Sequence, residues 1–265
     1  MKEGISGSGL KWIAIITMII DHIAAVVLEP LYMRLVSPGL FEDAEFMSPW
    51  MMEHKGVAAL ALLVPLMRTI GRFSFPLYCF LLTEGFVHTR SVWKYGLNLI
   101  IFALISEIPF NLSHDGLVFN WEFQSAYLTL VLGLGCMYVL SRVETVKKEA
   151  WYRYPLLFLS VAVFSVAAIQ LRTDYAAAGV LAIAAMYLLR KNKVIAFAVA
   201  CVILTILSNR IEIVALFMLI PVSKYNGERG NQRFKYAFYA IYPGHFLVLY
   251  LISFLVGGLG FAVHR

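Results

Sequence analysis

Long apolar runs recur along this chain from residue 11 to residue 261, and they constrain its fold more than any other feature. A helix needs about 20 apolar residues to cross a bilayer core of roughly 30 Å, and somewhat fewer inside a bundle. Charged residues make up 14% of the chain, whereas an average globular protein carries roughly 25%. The sequence therefore predicts an all-α, polytopic membrane protein with a single domain over residues 1–265.

Nine apolar segments are predicted to cross the membrane as helices. A further apolar piece at 56–67 is predicted to be a partial element, re-entrant or interfacial, or else the start of a long broken span through "TIGRF" at 69–73. The nine full spans are 11–29, 71–87, 95–110, 125–141, 154–170, 175–189, 194–208, 211–222 and 236–258.

Lysine and arginine are unevenly divided between the two sets of loops that these spans define. With the N-terminus in the cytoplasm, the inner loops hold 15 of these residues and the outer loops hold 5. Cytoplasmic loops carry such an excess of positive charge. The sequence therefore predicts that the N-terminus lies inside and the C-terminus outside.

Neither a nucleic-acid partner nor a metal centre is predicted. The net charge is +6, but its basic residues are spread over short loops instead of gathered on one face. The three cysteines, Cys79, Cys136 and Cys201, lie inside apolar runs, as packing residues do.

Two histidines are predicted to lie at one depth in the membrane. His22 follows Lys11 by eleven residues in the first span, which places its ring roughly 16 Å from the inner face. His245 follows Lys235 by ten residues in the last span, at roughly 15 Å. Ionisable residues at such depth are candidates for a functional site, although a histidine can also simply tie helices together. Asp21 points about 100° away from His22, so it must face another span, at a Tyr or Arg.

Other ionisable residues lie nearer the ends of the spans. Glu84 is either a site residue or a solvated helix end. Glu107 lies near the outer end of its span, and we expect it to form a structural ion pair with Arg72. Arg210 and Glu212 flank a short outer turn, and we expect a similar pair there.

The loop "KYNGERGNQRFKY" at 224–236 contains two tight-turn pairs, Asn226-Gly227 and Arg229-Gly230. Such turns expose backbone N–H groups, so the loop is a candidate phosphate cradle on the cytoplasmic face, with membrane anchoring by positive charge as the alternative. The basic residues around these turns are Lys224, Arg229, Arg233 and Lys235.

The last span opens with "YAFYAIYPGHF" at 236–246. Its tyrosines, among them Tyr242, either hydrogen-bond groups in the apolar core or simply pack there. Pro243 locally frees a backbone carbonyl near His245.

These motifs together resemble the TraX family of conjugal-transfer membrane proteins, over essentially the whole chain. The stretches that carry the resemblance are Lys11 to His22, "GRFSFPLYCFLLTEGFVHT" at 71–89, "ISEIPF" at 105–110, "DYAAAGVL" at 174–181, "YNGERG" at 225–230 and "KYAFYAIYPGH" at 235–245.

The resemblance implies a multi-pass protein of the bacterial cytoplasmic membrane that takes part in N-acetylation of pilin subunits. The family is similar to the type 3 membrane acyltransferases, which open with a basic residue, ten residues and then a histidine. Lys11 and His22 reproduce this spacing with Lys in place of the usual Arg. Lys cannot form the bidentate hydrogen bonds with phosphate that Arg forms. TraX-like proteins also occur outside conjugation systems, so a peptide, a glycan and a small molecule all stay open as the acceptor of an amine or hydroxyl acylation.

On this reading acetyl-CoA is the cytoplasmic donor, and the acceptor enters from the outer half of the membrane. His22 is the general base, His245 or Tyr242 the oxyanion donor or second proton carrier, and Asp21 helps to organise a polar channel. The residues expected to hold the donor are Lys11, Tyr225, Asn226, Gly227, Arg229 and Lys235.

Three other functions remain open from the sequence. Two histidines at one depth also suit bis-imidazole haem ligation, although Tyr and Phe crowd His245. Broken helices and buried charges also mark transporters, but no inverted repeat is visible. A scaffold for an envelope assembly would use its polar residues for helix packing alone.

Overall fold

The computed structural model describes residues 3–36, 50, 52–231 and 235–257, with 235, 236 and 257 described by their backbone alone. Within these residues the secondary structure is helical, apart from two isolated β-bridges that join Ile5 to Tyr225 and Gln124 to Thr173. The predicted all-α fold is confirmed.

The first span is one continuous helix of 29 residues, Gly7–Leu35. It comprises helix α1 (Gly7–Ile23), a π-helical segment (Ala24–Leu28) and α2 (Glu29–Leu35). Ser6 caps its N-terminus by accepting a hydrogen bond from the Gly9 amide at 3.3 Å. The observed helix therefore extends beyond the predicted span 11–29 at both ends.

Residues 55–88 form the second span as two helices, α3 (Lys55–Gly71) and α4 (Ser74–His88). The Arg72 amide donates to the Thr69 carbonyl at 3.2 Å and the Phe73 amide to the Ile70 carbonyl at 3.1 Å, so the chain stays helical across the joint. Residues 56–67 therefore belong to one broken span of 34 residues, which was the second of the two expectations for this segment.

The remaining helices follow the predicted segments with one exception. The segment at 211–222 is a 3-10 helix, Arg210–Met218, followed by a short α-helix, so the expectation of a full α-helical span is wrong there. Branched residues and Pro221 disfavour a regular α-helix at this point. The other helices are α5 (Val92–Asp115), α6 (Ala126–Val143), α7 (Arg153–Gln170), α8 (Ala176–Leu188), α9 (Lys193–Leu207), α10 (Leu219–Ser223) and α11 (Lys235–Gly257).

Six helices of the described residues are long and apolar enough to cross a bilayer, and α8 and α9 are shorter apolar helices. The chain is therefore a multi-pass membrane protein. The nine crossings and the inward N-terminus stay predictions. The six long spans are Gly7–Leu35, Lys55–His88, Val92–Asp115, Ala126–Val143, Arg153–Gln170 and Ala237–Val256.

The packing of the helices brings the two ends of the chain together. Helix α1 packs against α3, α4 and α11, while α11 also packs along α5. The first and last spans therefore face each other.

Helix α8 lies at the centre of a second group and contacts α6, α7 and α9. Small residues allow close approach there, since an added Cβ at Gly179 would overlap Thr129 of α6.

Candidate functional site

The rings of His22 and His245 meet between α1 and α11. His22 Nδ1 lies 2.6 Å from His245 Nε2, and the two ring planes are nearly parallel, at 13°, with their centroids 4.9 Å apart. His245 Nδ1 lies 2.9 Å from the carbonyl oxygen of Ile241, which can only accept a hydrogen bond. In the neutral pair, His245 Nδ1 therefore donates to Ile241, and His22 Nδ1 donates to His245 Nε2. This assignment leaves a lone pair on His22 Nε2.

Aromatic side chains enclose the histidine pair. Phe246 is fully buried, and its ring centroid lies 4.4 Å from that of His22 and 4.3 Å from that of His245. Tyr242 lies one helical turn before Phe246, with its ring centroid 6.3 Å from His22 and 5.5 Å from His245. His114 of α5 reaches the same Phe246 ring at 5.4 Å. The sequence analysis did not single out His114, since it lies beyond the end of the predicted span 95–110.

The π-helical segment begins two residues after His22. Such segments are rare and occur frequently at functional sites. The amino-acid sequence carries no signal for this feature.

Asp21 faces α3, as the sequence analysis expected of a residue that points away from His22. Its Oδ2 atom lies 2.8 Å from Arg68 Nη1, and its Oδ1 atom lies 3.6 Å from Arg72 Nη2. The same Oδ2 lies 3.8 Å from His22 Nε2. Gly71 permits this contact, since a Cβ there would overlap the Asp21 carboxyl group. Asp21 therefore lies between two guanidinium groups and the lone pair of His22.

The expected ion pair between Arg72 and Glu107 is wrong. Arg72 Nη1 instead lies 3.2 Å from Glu212 Oε1, which also accepts from the Tyr175 hydroxyl at 3.2 Å. Glu107 accepts hydrogen bonds from the amide and hydroxyl of Ser125, at 3.2 and 2.6 Å. The reason is rotational: the α3–α4 joint turns Arg72 toward the 3-10 helix, whereas Glu107 faces the start of α6.

The expected pairing of Arg210 with Glu212 is also wrong, because Arg210 is exposed whereas Glu212 points into the core. Glu212 is fully buried, and it is the carboxylate that compensates the half-buried Arg72. A buried carboxylate without such a partner would be strongly destabilising.

Glu84 is a buried ion-pair residue rather than a solvated helix end. It is 7% exposed, and its Oε2 lies 2.8 Å from Lys193 Nζ. Tyr225 hydrogen-bonds the same carboxylate, and burial together with the Glu84 charge raises the pKa of Tyr225 to about 12. Lys193 Nζ lies 4.5 Å from the centre of the Tyr225 ring. This cluster ties α4 and α9 to the 224–231 loop.

A cavity of about 430 Å³ opens where α4 ends and α5 begins. Its lining changes from basic residues at the opening to aromatic and apolar residues at the deep end, Phe75, Ala126, Tyr127, Leu130 and Tyr242. We call the basic end the cavity mouth, which carries the side chains of Lys11, Arg90, Lys94 and Arg229.

Four of the six predicted donor-binding residues line this cavity: Lys11, Tyr225, Gly227 and Arg229. Asn226 does not line it, and its Oδ1 atom instead accepts from the Glu228 amide at 2.9 Å. The side chain of Lys235 lies outside the described residues. The sequence analysis missed Arg90 and Lys94, whose only signal was their basic character in the loop at 88–94.

The 224–231 loop is fastened to the chain segment before α1. Ile5 donates to the Lys224 carbonyl at 2.8 Å, and the Asn226 amide donates back to Ile5 at 3.0 Å. The Gly7 amide donates to the Glu228 carbonyl at 2.7 Å. Because the Asn226 and Glu228 amides already have protein acceptors, cationic side chains rather than a row of open amides carry the positive charge at the cavity mouth. The phosphate cradle itself stays a prediction.

Tyr242 separates the cavity from the imidazoles. It lines the deep end, whereas His22, His245 and Asp21 lie behind it and do not line the cavity. The polar channel expected around His22 and Asp21 stays a prediction, because the Tyr242 ring lies between the cavity and the imidazoles.

Six long apolar helices, with charged groups and imidazoles packed between them, define a multi-pass membrane protein that holds a polar site inside its helical bundle. The chain belongs to the TraX family, since a family model described as TraX protein matches residues 6–253. The resemblance found in the sequence is confirmed.

Among curated proteins, the chain is 29% identical over 202 residues to a protein of Dichelobacter nodosus named probable fimbrial assembly protein FimC, serogroup H1. The matched region covers 69% of this chain and 81% of that protein. No solved structure matches the chain.

Proposed function

We propose that this protein is a membrane acyltransferase that moves an acetyl group from cytoplasmic acetyl-CoA to an amine. The TraX family is associated with acetylation of pilin, and the relative in Dichelobacter nodosus is named a fimbrial assembly protein. The observation that carries the proposal is the lone pair on His22 Nε2, which the hydrogen bond to His245 orients, behind the end of a cavity with a basic mouth.

The cavity suits a nucleotide thioester. Four cationic side chains at the mouth match the phosphates of acetyl-CoA, which arginine and lysine bind through charge-assisted hydrogen bonds. Along α4 the cavity extends from His88 to Phe75, a depth of roughly 20 Å by helical rise. The pantetheine arm has the length of about four extended peptide residues, or about 14 Å. A donor with its phosphates at the mouth therefore carries its thioester to the deep end.

The environment of His22 Nε2 favours an amine over a hydroxyl as the acceptor. Asp21 Oδ2 lies 3.8 Å from this nitrogen, and a carboxylate oxygen can accept a further hydrogen bond beside the one from Arg68. Two acceptors side by side need two donors. A primary amine donates one hydrogen to His22 and a second to Asp21, whereas a hydroxyl has a single hydrogen to give.

The proposed reaction moves one proton and one acyl group. The amine nitrogen attacks the thioester carbon while His22 Nε2 takes its proton, and the carbon–sulfur bond then breaks. The sulfur leaves as the thiol of CoA after taking up the proton from His22. The Tyr242 hydroxyl donates to the carbonyl oxygen as negative charge develops there. Because the Tyr242 ring separates cavity and imidazoles, its side chain must turn aside during transfer.

The test is release of free CoA thiol by the detergent-solubilised protein. Purified protein is incubated with acetyl-CoA and a peptide that carries a free N-terminal amine, and then with the same peptide blocked at that amine. We expect thiol release and an acetylated product only with the free amine. Equal thiol release with both peptides would contradict an amine acceptor. The absence of thiol release with any acceptor would contradict the proposed acyltransferase activity.

The geometry disfavours the haem alternative. An iron between two imidazole nitrogens separates them by about 4 Å, at metal–nitrogen distances near 2 Å. The facing nitrogens of His22 and His245 are 2.6 Å apart, a hydrogen-bond distance. A transporter would move its substrate without thiol release, so the same assay separates that alternative.

A further inference from the structure

We infer that the deep end of the cavity limits the transferred group to about the size of acetyl, and that Tyr127 and Leu130 set this limit. The inference rests on the proposed function, because it concerns which thioesters the same cavity accepts.

The deep end is closed by two perpendicular tyrosine rings. The Tyr127 and Tyr242 centroids lie 4.6 Å apart at an interplanar angle of 88°. Both side chains are buried, as is Leu130 one turn further along α6. All three line the cavity. A chain that grew beyond the thioester carbonyl would therefore meet these three side chains.

Other buried side chains support this end wall from behind. Phe75, which also lines the deep end, stacks on Tyr175 with the ring centroids 3.8 Å apart. Since Tyr242 turns aside during transfer, Tyr127 and Leu130, which are both buried, are the side chains that stay in place as the wall. Packed cores resist the insertion of extra methylene groups, because the displaced side chains must move into occupied space. The wall therefore yields poorly to a longer acyl chain.

The depth of the cavity agrees with a short acyl group. The cavity runs roughly 20 Å along α4, and the arm of the donor uses about 14 Å of it. The remaining roughly 6 Å accommodates the thioester carbonyl and a methyl group, with little further length. One methylene group in a tight apolar pocket changes kcat/KM by about tenfold or more.

The experiment compares acetyl-, butanoyl- and hexanoyl-CoA as donors for Tyr127→Ala and Leu130→Ala, with thiol release as the readout. In both variants we expect the ratio of kcat/KM for hexanoyl-CoA to that for acetyl-CoA to rise at least about tenfold. Tyr138→Ala is the matched control, since Tyr138 lies on the same helix, is 45% exposed and does not line the cavity.

A second readout does not depend on turnover. Ligands that bind the folded protein raise its unfolding temperature. Hexanoyl-CoA should stabilise Leu130→Ala more than it stabilises the original protein, while acetyl-CoA stabilises both. This measurement also covers the case in which Tyr127→Ala does not fold.

Two results would overturn the inference and leave the proposed function intact. One is equal use of acetyl- and hexanoyl-CoA by the original protein. The other is an unchanged ratio in both variants while acetyl transfer persists. Failure of the original protein to consume or bind any of the three thioesters would overturn the proposed function, and the inference with it.

Discussion

His22 Nδ1 lies 2.6 Å from His245 Nε2, so residues that are 223 positions apart in the chain share one hydrogen bond. The bond fixes which nitrogen of His22 is free, because His245 is itself held by the Ile241 carbonyl at 2.9 Å. A general base needs a defined lone pair directed at its substrate. The first and last spans therefore jointly build the group on which the proposed chemistry depends.

The basic residues at the cavity mouth should govern affinity for the donor. Arg90→Ala and Lys94→Ala each remove one cation that faces the phosphates, so we expect KM for acetyl-CoA to rise about tenfold with kcat nearly unchanged. Steady-state kinetics at low and high salt measure this effect, which should shrink at high salt. Lys147→Ala is the control, because Lys147 is an exposed cation outside the cavity. An equal effect of Lys147→Ala would show a general charge effect instead of a binding site.

Gly230 should be needed for the docking of the 224–231 loop. Its φ angle is +71°, and a Cβ there would overlap the hydroxyl groups of Ser6 and Ser8. Gly227 has a similar φ of +80°, but a Cβ there meets no atom within 4 Å. Gly230→Ala should therefore lower the unfolding temperature further than Gly227→Ala, and it should also weaken donor binding. Thermal unfolding with and without acetyl-CoA measures both effects, and equal losses in the two variants would refute the role of the loop contact.

Asp174 should make stability depend on pH. Burial raises the pKa of Asp174 to about 6, partly offset by the nearby Arg72. Between about pH 4 and pH 6 the folded state keeps a proton that the unfolded chain releases, so the free energy of unfolding falls as pH rises. Above pH 6 this contribution becomes constant. Asp174→Asn should remove that part of the slope, and at pH 7 it should raise the unfolding temperature by a few degrees. Thermal unfolding of both proteins from pH 4 to pH 8 is the measurement. Parallel plots of unfolding temperature against pH would contradict the role of Asp174.

That the two histidines lie at the same level was predictable from the sequence, because the rise of an α-helix is nearly constant. Counting residues from Lys11 and from Lys235 placed His22 and His245 at one level, and the structure brings the two rings into contact. The expectation that Asp21 faces an arginine or tyrosine was likewise confirmed, by Arg68. Both followed from helix geometry alone.

The errors arose where the result depends on how helices rotate against one another. Arg72 and Glu107 have the right depth to pair, yet Arg72 faces Glu212 and Glu107 faces Ser125. A single sequence gives no measure of this rotation. The position of the Tyr242 ring between cavity and imidazoles depends equally on packing, so it could not be predicted either.

The most direct test of the account is acetyl transfer by His22→Gln. Glutamine keeps a polar side chain of similar size, but it cannot accept the proton of an attacking amine at neutral pH. We predict that kcat falls at least about a hundredfold, while acetyl-CoA still raises the unfolding temperature as it does for the original protein. Undiminished kcat in His22→Gln would contradict the role of His22 as the base.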